Sequence, residues 1–412
     1  MADENVDVSN IDPSEPRAAL DMFHVSLGQP QPSDPELVAQ VTECDVEPLS
    51  GPCSFFCNMC NAMNATKRCG ACGAVVYCSA SCQREAWHVH KQFCKRIRAS
   101  TKLTRKLAVP LRNYSQMGEP ARNAFEYDIG DFWGLHDPRP YCRARADLAF
   151  HLKDSSDAEN NPLAAELAIQ HFRQLMILSK GDNQGVRDFV PTMLIDLGRY
   201  QEAYDFIRYW IIGFSESYDD EQTTGHDMAE DLEVLKFSEY GPNSFIFALA
   251  LLKYVMYART RAAEMLIMRH PKVNPDIAKY AMTFAVPETW SRAGSQTLEV
   301  QLKQVLSALL VSNKHLLKML VEAEKHRERP VGPYSLGDES EAWYLISSNL
   351  VPWLKAAGAR EYVRRFLADD LRVPIPISEA EKKRRAMEKA KLLNKSFARS
   401  MRSKRDDRTG RL

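Results

Sequence analysis

Residues 57–94 read CNMCNAMNATKRCGACGAVVYCSASCQREAWHVHKQFC. Seven of the chain's ten cysteines fall inside them, together with His88 and His90. In order they form Cys57-x2-Cys60, Cys69-x2-Cys72, Cys78-x3-Cys82 and His90-x3-Cys94. A Cys-x2-Cys pair suits zinc, because its short turn aims two sulfurs at one ion about 2.3 Å away. Four such pairs supply eight donors, enough to close two tetrahedral sites with no ligand left over. Hard cations are excluded by donor type, since they take oxygen. An iron–sulfur cluster could use the cysteines but does not need a His-x3-Cys ending. A catalytic zinc keeps one position for water, whereas here protein can fill every position. Two structural zinc ions are therefore expected, and metal binding supplies the folding free energy of a segment with almost no core.

The residues between the ligand pairs agree with this reading. Asn61, Gly70 and Gly73 stand where tight turns need tolerance of positive φ. Val75, Val76 and Tyr77 favour a strand just before Cys78, half of a small hairpin. Ser79 is placed to cap a helix with Cys82, Ala86 and His90 at four-residue steps on one face. Cys44, Cys53 and Cys142 remain as ordinary thiols; Cys53 competes poorly with Cys57, whose spacing to Cys60 is the better one.

The run Tyr77-Cys78-Ser79-x2-Cys82-Gln83-x3-Trp87-x2-His90-Lys91-x2-Cys94 resembles the C-terminal half of a MYND zinc finger. The resemblance implies an interleaved arrangement. Cys57, Cys60, Cys78 and Cys82 would hold one zinc, and Cys69, Cys72, His90 and Cys94 the other. His88 matches no ligand position and is expected to be exposed. Fingers of this family are usually protein-interaction modules, several of which bind proline-rich peptides. The resemblance places Ser79, Gln83 and Trp87 beside the peptide groove, although packing on the zinc scaffold accounts for Trp87 equally well.

The whole chain has 412 residues, 45% hydrophobic and 26% charged, with no net charge. That is the profile of an ordinary globular protein with two or three domains and no need for disulfides. No secretory signal opens it, and the longest apolar run, Phe245 to Ala258, is interrupted by Lys253 and too short to span a bilayer. Clustered thiolates fit a reducing compartment, so cytosol or nucleus is expected. Charge is unevenly spread: residues 1–50 carry eleven acidic side chains against the single Arg17, and Ser378 to Leu412 carries thirteen basic against five acidic.

The expected organisation is mainly α. An acidic, mostly disordered tail (1–50) precedes the finger (53–98), an irregular connecting segment (99–142), an α-helical body (143–376) with an acidic insert near 214–240, and a basic tail (377–412). Phe125, Tyr127, Phe132 and Trp133 are expected to seal the junction between finger and body. Ala164, Leu167, Ala168, Phe172, Leu175 and Met176 lie on one helical face. Ala168-x3-Phe172 and Ala203-x3-Ile207 stand 35 residues apart, close to the 34-residue period of tetratricopeptide repeats, and Leu197 to Ala203 resembles the turn of such a repeat. A weaker third copy would place Ala263-x3-Ile267 in register, ending at Pro275; plain helical hairpins explain the same periodicity. Asp182-Asn183-Gln184-Gly185 reads as a capping turn, lacking the glycines and Lys-Ser/Thr of a phosphate loop. Pro352 should kink the helix Glu341 to Ala357.

Three functional classes follow. The first is an adaptor, with the finger recognising a partner peptide and the helical body offering a second surface. The second is a nucleic-acid-associated regulator using the basic tail, where Lys382-Lys383-Arg384-Arg385 also reads as a nuclear-import signal, although Phe397 alone gives little for base stacking. The third is a lysine methyltransferase of the split SET type, which some MYND proteins are. Against it, the chain has no Asn-His-Ser-Cys run, and past Cys94 it holds only Cys142. No phosphate loop or Gly-x-Ser-x-Gly elbow occurs, so a non-enzymatic adaptor is the expectation.

Overall fold

The computed structural model describes residues 56–63, 65–115, 120–212, 225–232, 242–269, 290, 293–326 and 329–368. The chain divides into two compact units, Met1–Arg187 and Asp188–Leu412. Described residues are mainly helical, as expected, and the only sheet among them is a two-stranded ribbon in the finger.

In the first unit β1 (Lys67–Arg68) pairs antiparallel with β2 (Val76–Tyr77), Lys67 opposite Tyr77 and Arg68 opposite Val76. Helix α1 (Ala80–Leu111) starts at Ser79, whose hydroxyl accepts from the Cys82 N–H at 3.2 Å. It is 32 residues long, or about 48 Å at 1.5 Å per residue. The connecting segment from residue 99 is expected to be irregular; the helix in fact runs on to Leu111. Its buried stripe continues through Ile97, Ser100, Thr104, Ala108 and Leu111, and two of those five are hydroxyl residues, which hid the apolar period. Ser100 Oγ pairs with His151 Nδ1 at 2.8 Å, and Thr104 donates to the Ser100 carbonyl at 2.9 Å. Pro110 has no N–H to offer the Lys106 carbonyl, and the helix ends one residue later.

Helix α2 (Ala124–Tyr127) is one turn capped by Asn123. Helix α3 (Arg139–Glu159) then returns antiparallel along α1, as the pairs Arg96–Asp154 and Ser100–His151 show. Asn160, at φ +49°, and the cap Asn161 turn the chain into α4 (Pro162–Leu178). Because α1 carries the chain one helix length away from the finger, Phe125 and Phe132 pack on Tyr141 at the far end of α3. They do not belong to the finger's core, which corrects the junction role expected of them. Trp133 lies beneath the guanidinium groups of Arg139 and Arg143. The capping turn is present as expected, and Asp182 is its cap: at φ +41° its carboxylate accepts from the N–H groups of Val186 and Arg187.

The second unit contains α5 (Val190–Asp196), α6 (Tyr200–Ile212), α7 (Asn243–Arg269), α8 (Ser295–Ser312), α9 (Leu316–Val321), α10 (Glu339–Lys355) and α11 (Ala359–Ala368). Helix α7 is its centre. Every residue from Ser244 to Tyr254 is buried, so this first part of the helix is enclosed on all sides rather than along one stripe. It packs against α5, α6, α8 and α11. Lys253, which interrupts the apolar run, is buried and donates to the Met228 carbonyl at 2.6 Å and Gln301 Oε1 at 2.8 Å. Helix α10 breaks near Pro352 as expected, with the non-helical residue displaced to Asn349. There the Asn349 carboxamide accepts from Thr192.

The residues of the 35-residue offset are helical, with Ala168 and Phe172 on α4 and Ala203 and Ile207 on α6, all buried. The division between units falls between the two segments. Pro275, Cys44, Cys53, both tails and most of the acidic insert lie outside the described residues.

Candidate metal centre

The ribbon and the first turns of α1 gather all eight predicted donors into two groups. Cys57, Cys60, Cys78 and Cys82 form one, and Cys69, Cys72, His90 and Cys94 the other, the donor atoms of each lying within 4.8 Å of one another. Sulfurs about 2.3 Å from a central ion sit about 3.8 Å apart at the corners of a tetrahedron. In the first group Cys78 Sγ is 3.6 Å from Cys60 Sγ and 3.5 Å from Cys82 Sγ. In the second, Cys69 Sγ is 3.8 Å from Cys94 Sγ, and Cys72 Sγ is 3.5 Å from His90 Nε2. Spacing and donor chemistry both fit two structural zinc ions. When bound, each ion cross-links chain segments and leaves no position open for water.

Local backbone geometry explains how so short a segment aims its sulfurs. Asn61, at φ +58°, closes the first knuckle, its N–H donating to the Cys57 carbonyl at 2.9 Å. Gly73, at φ +70°, does the same for the second, donating to the Cys69 carbonyl at 2.8 Å. Burial alone would push the Cys57 thiol up, but the backbone N–H groups of Cys60, Cys78 and Met59 hold it at about 6. At Cys57 the thiolate a metal needs is thus favoured by the fold. Cys69 is brought lower still, to about 3, by hydrogen bonds with Cys72 and His90. Hydrogen bonds with neighbouring cysteines instead push Cys72 and Cys78 up, and burial pushes Cys94 up.

The second group is completed from outside the finger. His90 is fully buried, and its Nδ1 lies 3.0 Å from Glu159 Oε1 at the end of α3. Ser155 donates to the other oxygen of that carboxylate at 2.5 Å. A ligating histidine that donates its second N–H to a carboxylate has its tautomer and ring orientation fixed, and its ligating nitrogen made more basic. The hairpin of α3 and α4 makes further ties. Asn161 Nδ2 donates to the Ala74 carbonyl at 2.8 Å, Asn58 Nδ2 to the Glu159 carbonyl at 3.3 Å, and Leu163 is buried within the finger's core. Sequence reasoning missed Glu159. It lies 69 residues from His90, and no local pattern distinguishes it from other helix-end glutamates.

His88 is exposed and outside both groups, its Nδ1 2.8 Å from the Glu85 carbonyl. Of the residues assigned to partner binding, Ser79 is engaged as the helix cap and paired with Ser81 Oγ at 2.7 Å. Gln83 is partly exposed. Trp87 sets one edge against the His90 ring, 6.1 Å between centroids, while 41% of its surface is exposed. It packs on the scaffold and faces solvent at once.

Comparison with known proteins reaches the finger alone. Residues 57–94 match the MYND finger family. A stretch of 54 residues is 39% identical to histone-lysine N-methyltransferase ASHR1 of Arabidopsis thaliana, covering 13% of this chain and 11% of that protein. Another of 44 residues is 46% identical to SET domain-containing protein 14 of Caenorhabditis elegans, 10% of each chain. The chain therefore spans about a tenth of the length of these relatives. No solved structure matches. What the chain shares with known proteins is a MYND finger at residues 57–94, built to hold two zinc ions.

Proposed function

We propose that the chain is a zinc-stabilised, non-enzymatic adaptor. Its finger binds an extended, proline-rich partner peptide across Gln83 and Trp87, with Ser79 setting the start of the helix that carries them. The helical unit beyond residue 187 offers a second protein surface. The observation that carries this reading is apolar exposure on the finger: Phe56 is 50% exposed, Met59 36%, Met63 66% and Trp87 41%. A metal-stapled scaffold that leaves such side chains in water is built for contact rather than for burial. Both relatives are named for SET or methyltransferase domains, yet the likeness stops at the finger, and the SET signature run is missing from this sequence. Among described residues no helix is long and apolar enough to cross a membrane. Zinc held by thiolates is best kept in a reducing compartment, which supports cytosol or nucleus.

The test uses the full, zinc-loaded chain with fluorescent proline-rich peptides. Trp87→Ala should weaken the best peptide by at least about tenfold, as loss of an aromatic anchor does, and Gln83→Ala by less. Unchanged affinity in both variants, at two zinc ions per chain, would remove the groove from the account. DNA binding that weakens steeply with salt and needs residues 378–412 would favour a nucleic-acid role.

A further inference from the structure

Helix α1 presents water with a face of one charge sign. Arg84, Lys91, Lys95, Arg98, Lys102 and Lys106 are all exposed. At 3.6 residues per turn they fall within an arc of about 80°, opposite the buried stripe, over a length of about 33 Å. Glu85, the one acidic residue of the helix, lies outside that arc. None of the six forms an ion pair with a described residue. Ordinary exposed helices intersperse both signs, and like charges at i,i+4 repel. From Lys91 to Lys106 successive members stand three or four residues, about 5–6 Å, apart, inside the Debye length of about 8 Å at physiological salt, so their fields add; Arg84 stands two turns before Lys91. A ridge of this kind fits a polyanion.

The chain carries its own. Residues 1–55 hold eleven carboxylates and one arginine, and this segment enters the described structure at Phe56. Cys57 belongs to the same zinc group as Cys78 and Cys82, at the first turn of α1. The acidic segment is thereby anchored at the end of the helix where the ridge begins. About ten extended residues cover 33 Å, and tethering of this kind gives an effective concentration in the millimolar range. We propose that the acidic segment preceding the finger docks along the basic ridge of α1 as an intramolecular counter-charge, to be displaced by a stronger anion.

Zero-length carbodiimide coupling of the full chain in low salt tests this directly. Carboxylates of residues 3–47 should couple chiefly to Lys91, Lys95, Lys102 and Lys106, and the yield should fall several-fold in 1 M salt, where the Debye length is about 3 Å. Coupling no greater than to exposed Lys314 and Lys318, or coupling mainly to Lys382, Lys383 and Lys389, would overturn the proposal. Heparin affinity gives a second reading. Neutralising five acids (Asp34→Asn, Glu36→Gln, Glu43→Gln, Asp45→Asn, Glu47→Gln) should tighten heparin binding about tenfold, by baring the ridge's counterion-releasing charges. Adding Lys91→Gln, Lys95→Gln and Lys102→Gln should cancel that gain. A gain that survives these three changes places the acidic segment elsewhere and contradicts the assignment. All eight substitutions avoid the zinc ligands, and two zinc ions per chain confirm that each variant is folded. Duplex DNA bound by the parent chain at physiological salt, and lost with the three lysines, would make the ridge a nucleic-acid surface instead and overturn the intramolecular docking.

Discussion

The finger and helix α7 solve the same problem with opposite materials. Both need a buried centre. Helix α7 obtains one from length and composition, with Ser244 to Tyr254 continuously enclosed by neighbouring helices. The finger has strands of two residues each and a core in which ligating cysteines are joined by few apolar side chains, Ala65, Val75, Val76, Tyr77 and Ala86. Apolar burial holds the first together, and coordination the second. The finger still borrows from helices. Leu163 completes its core and Glu159 fixes its histidine.

The largest expected effect separates the two directly. A strong zinc chelator should unfold residues 57–94 while the helical signal of α5 to α11 persists, since structural zinc is worth about 10–16 kcal/mol in comparable short segments. Backbone hydrogen exchange reads both regions in one experiment. Simultaneous loss of protection in α7 would show that the two do not stand apart. The converse break is Phe247→Ala. Phe247 is fully buried and stacked on Trp353 at 5.0 Å, so its truncation should cost about 3–5 kcal/mol. Urea unfolding followed in α7 would report the cost, while both zinc ions stay bound.

Glu159→Ala probes the borrowing. Removing the carboxylate behind a metal-bound histidine weakens metal binding by about 10–100-fold. One of two zinc ions should therefore leave faster in a chromogenic chelator assay, and the ion held by four cysteines should leave at the parent rate. Equal rates for both ions in the variant and parent would mean that the finger is self-sufficient. A smaller effect belongs to Lys253. Burial lowers its pKa to about 7, whereas in the unfolded chain a lysine titrates near 10.4. Between those values the unfolded state holds more protons, so stability rises with pH. Below about pH 7 both states are protonated and the burial cost is present in full. The gain from pH 7.5 to 8.5 should be at most about 1.4 kcal/mol, the ceiling for one proton over one unit. Lys253→Met should flatten it; an unchanged slope would assign it to other groups.

Ligand chemistry made the finger readable: eight donors at fixed spacing leave little freedom, and each went where the spacing and the family pattern put it. The capping turn at Asp182 was readable for a similar reason, a side chain acting on its own backbone a few residues on. What could not be read were contacts that span the chain. Glu159 meets His90 across 69 residues. The continuation of α1 past Ile97 was masked because Ser100 and Thr104 stand in its buried stripe, satisfied by partners that only the fold supplies. Lys253 looked like an interruption of an apolar run. Its ammonium is accommodated by Met228 and Gln301, neither of them near it in sequence. The aromatic group at 125–133 was correctly judged to be packed but was placed at the wrong end of α3, because the length of α1 was not apparent.

X-ray absorption at the zinc edge of the purified chain tests the central claim most directly. Two closed sites made of seven cysteines and one histidine predict a first shell of sulfur at about 2.3 Å with a minor nitrogen contribution near 2.0 Å, in a ratio of seven to one, and no water oxygen. A substantial oxygen component, or a sulfur share matching only one occupied site, would contradict it.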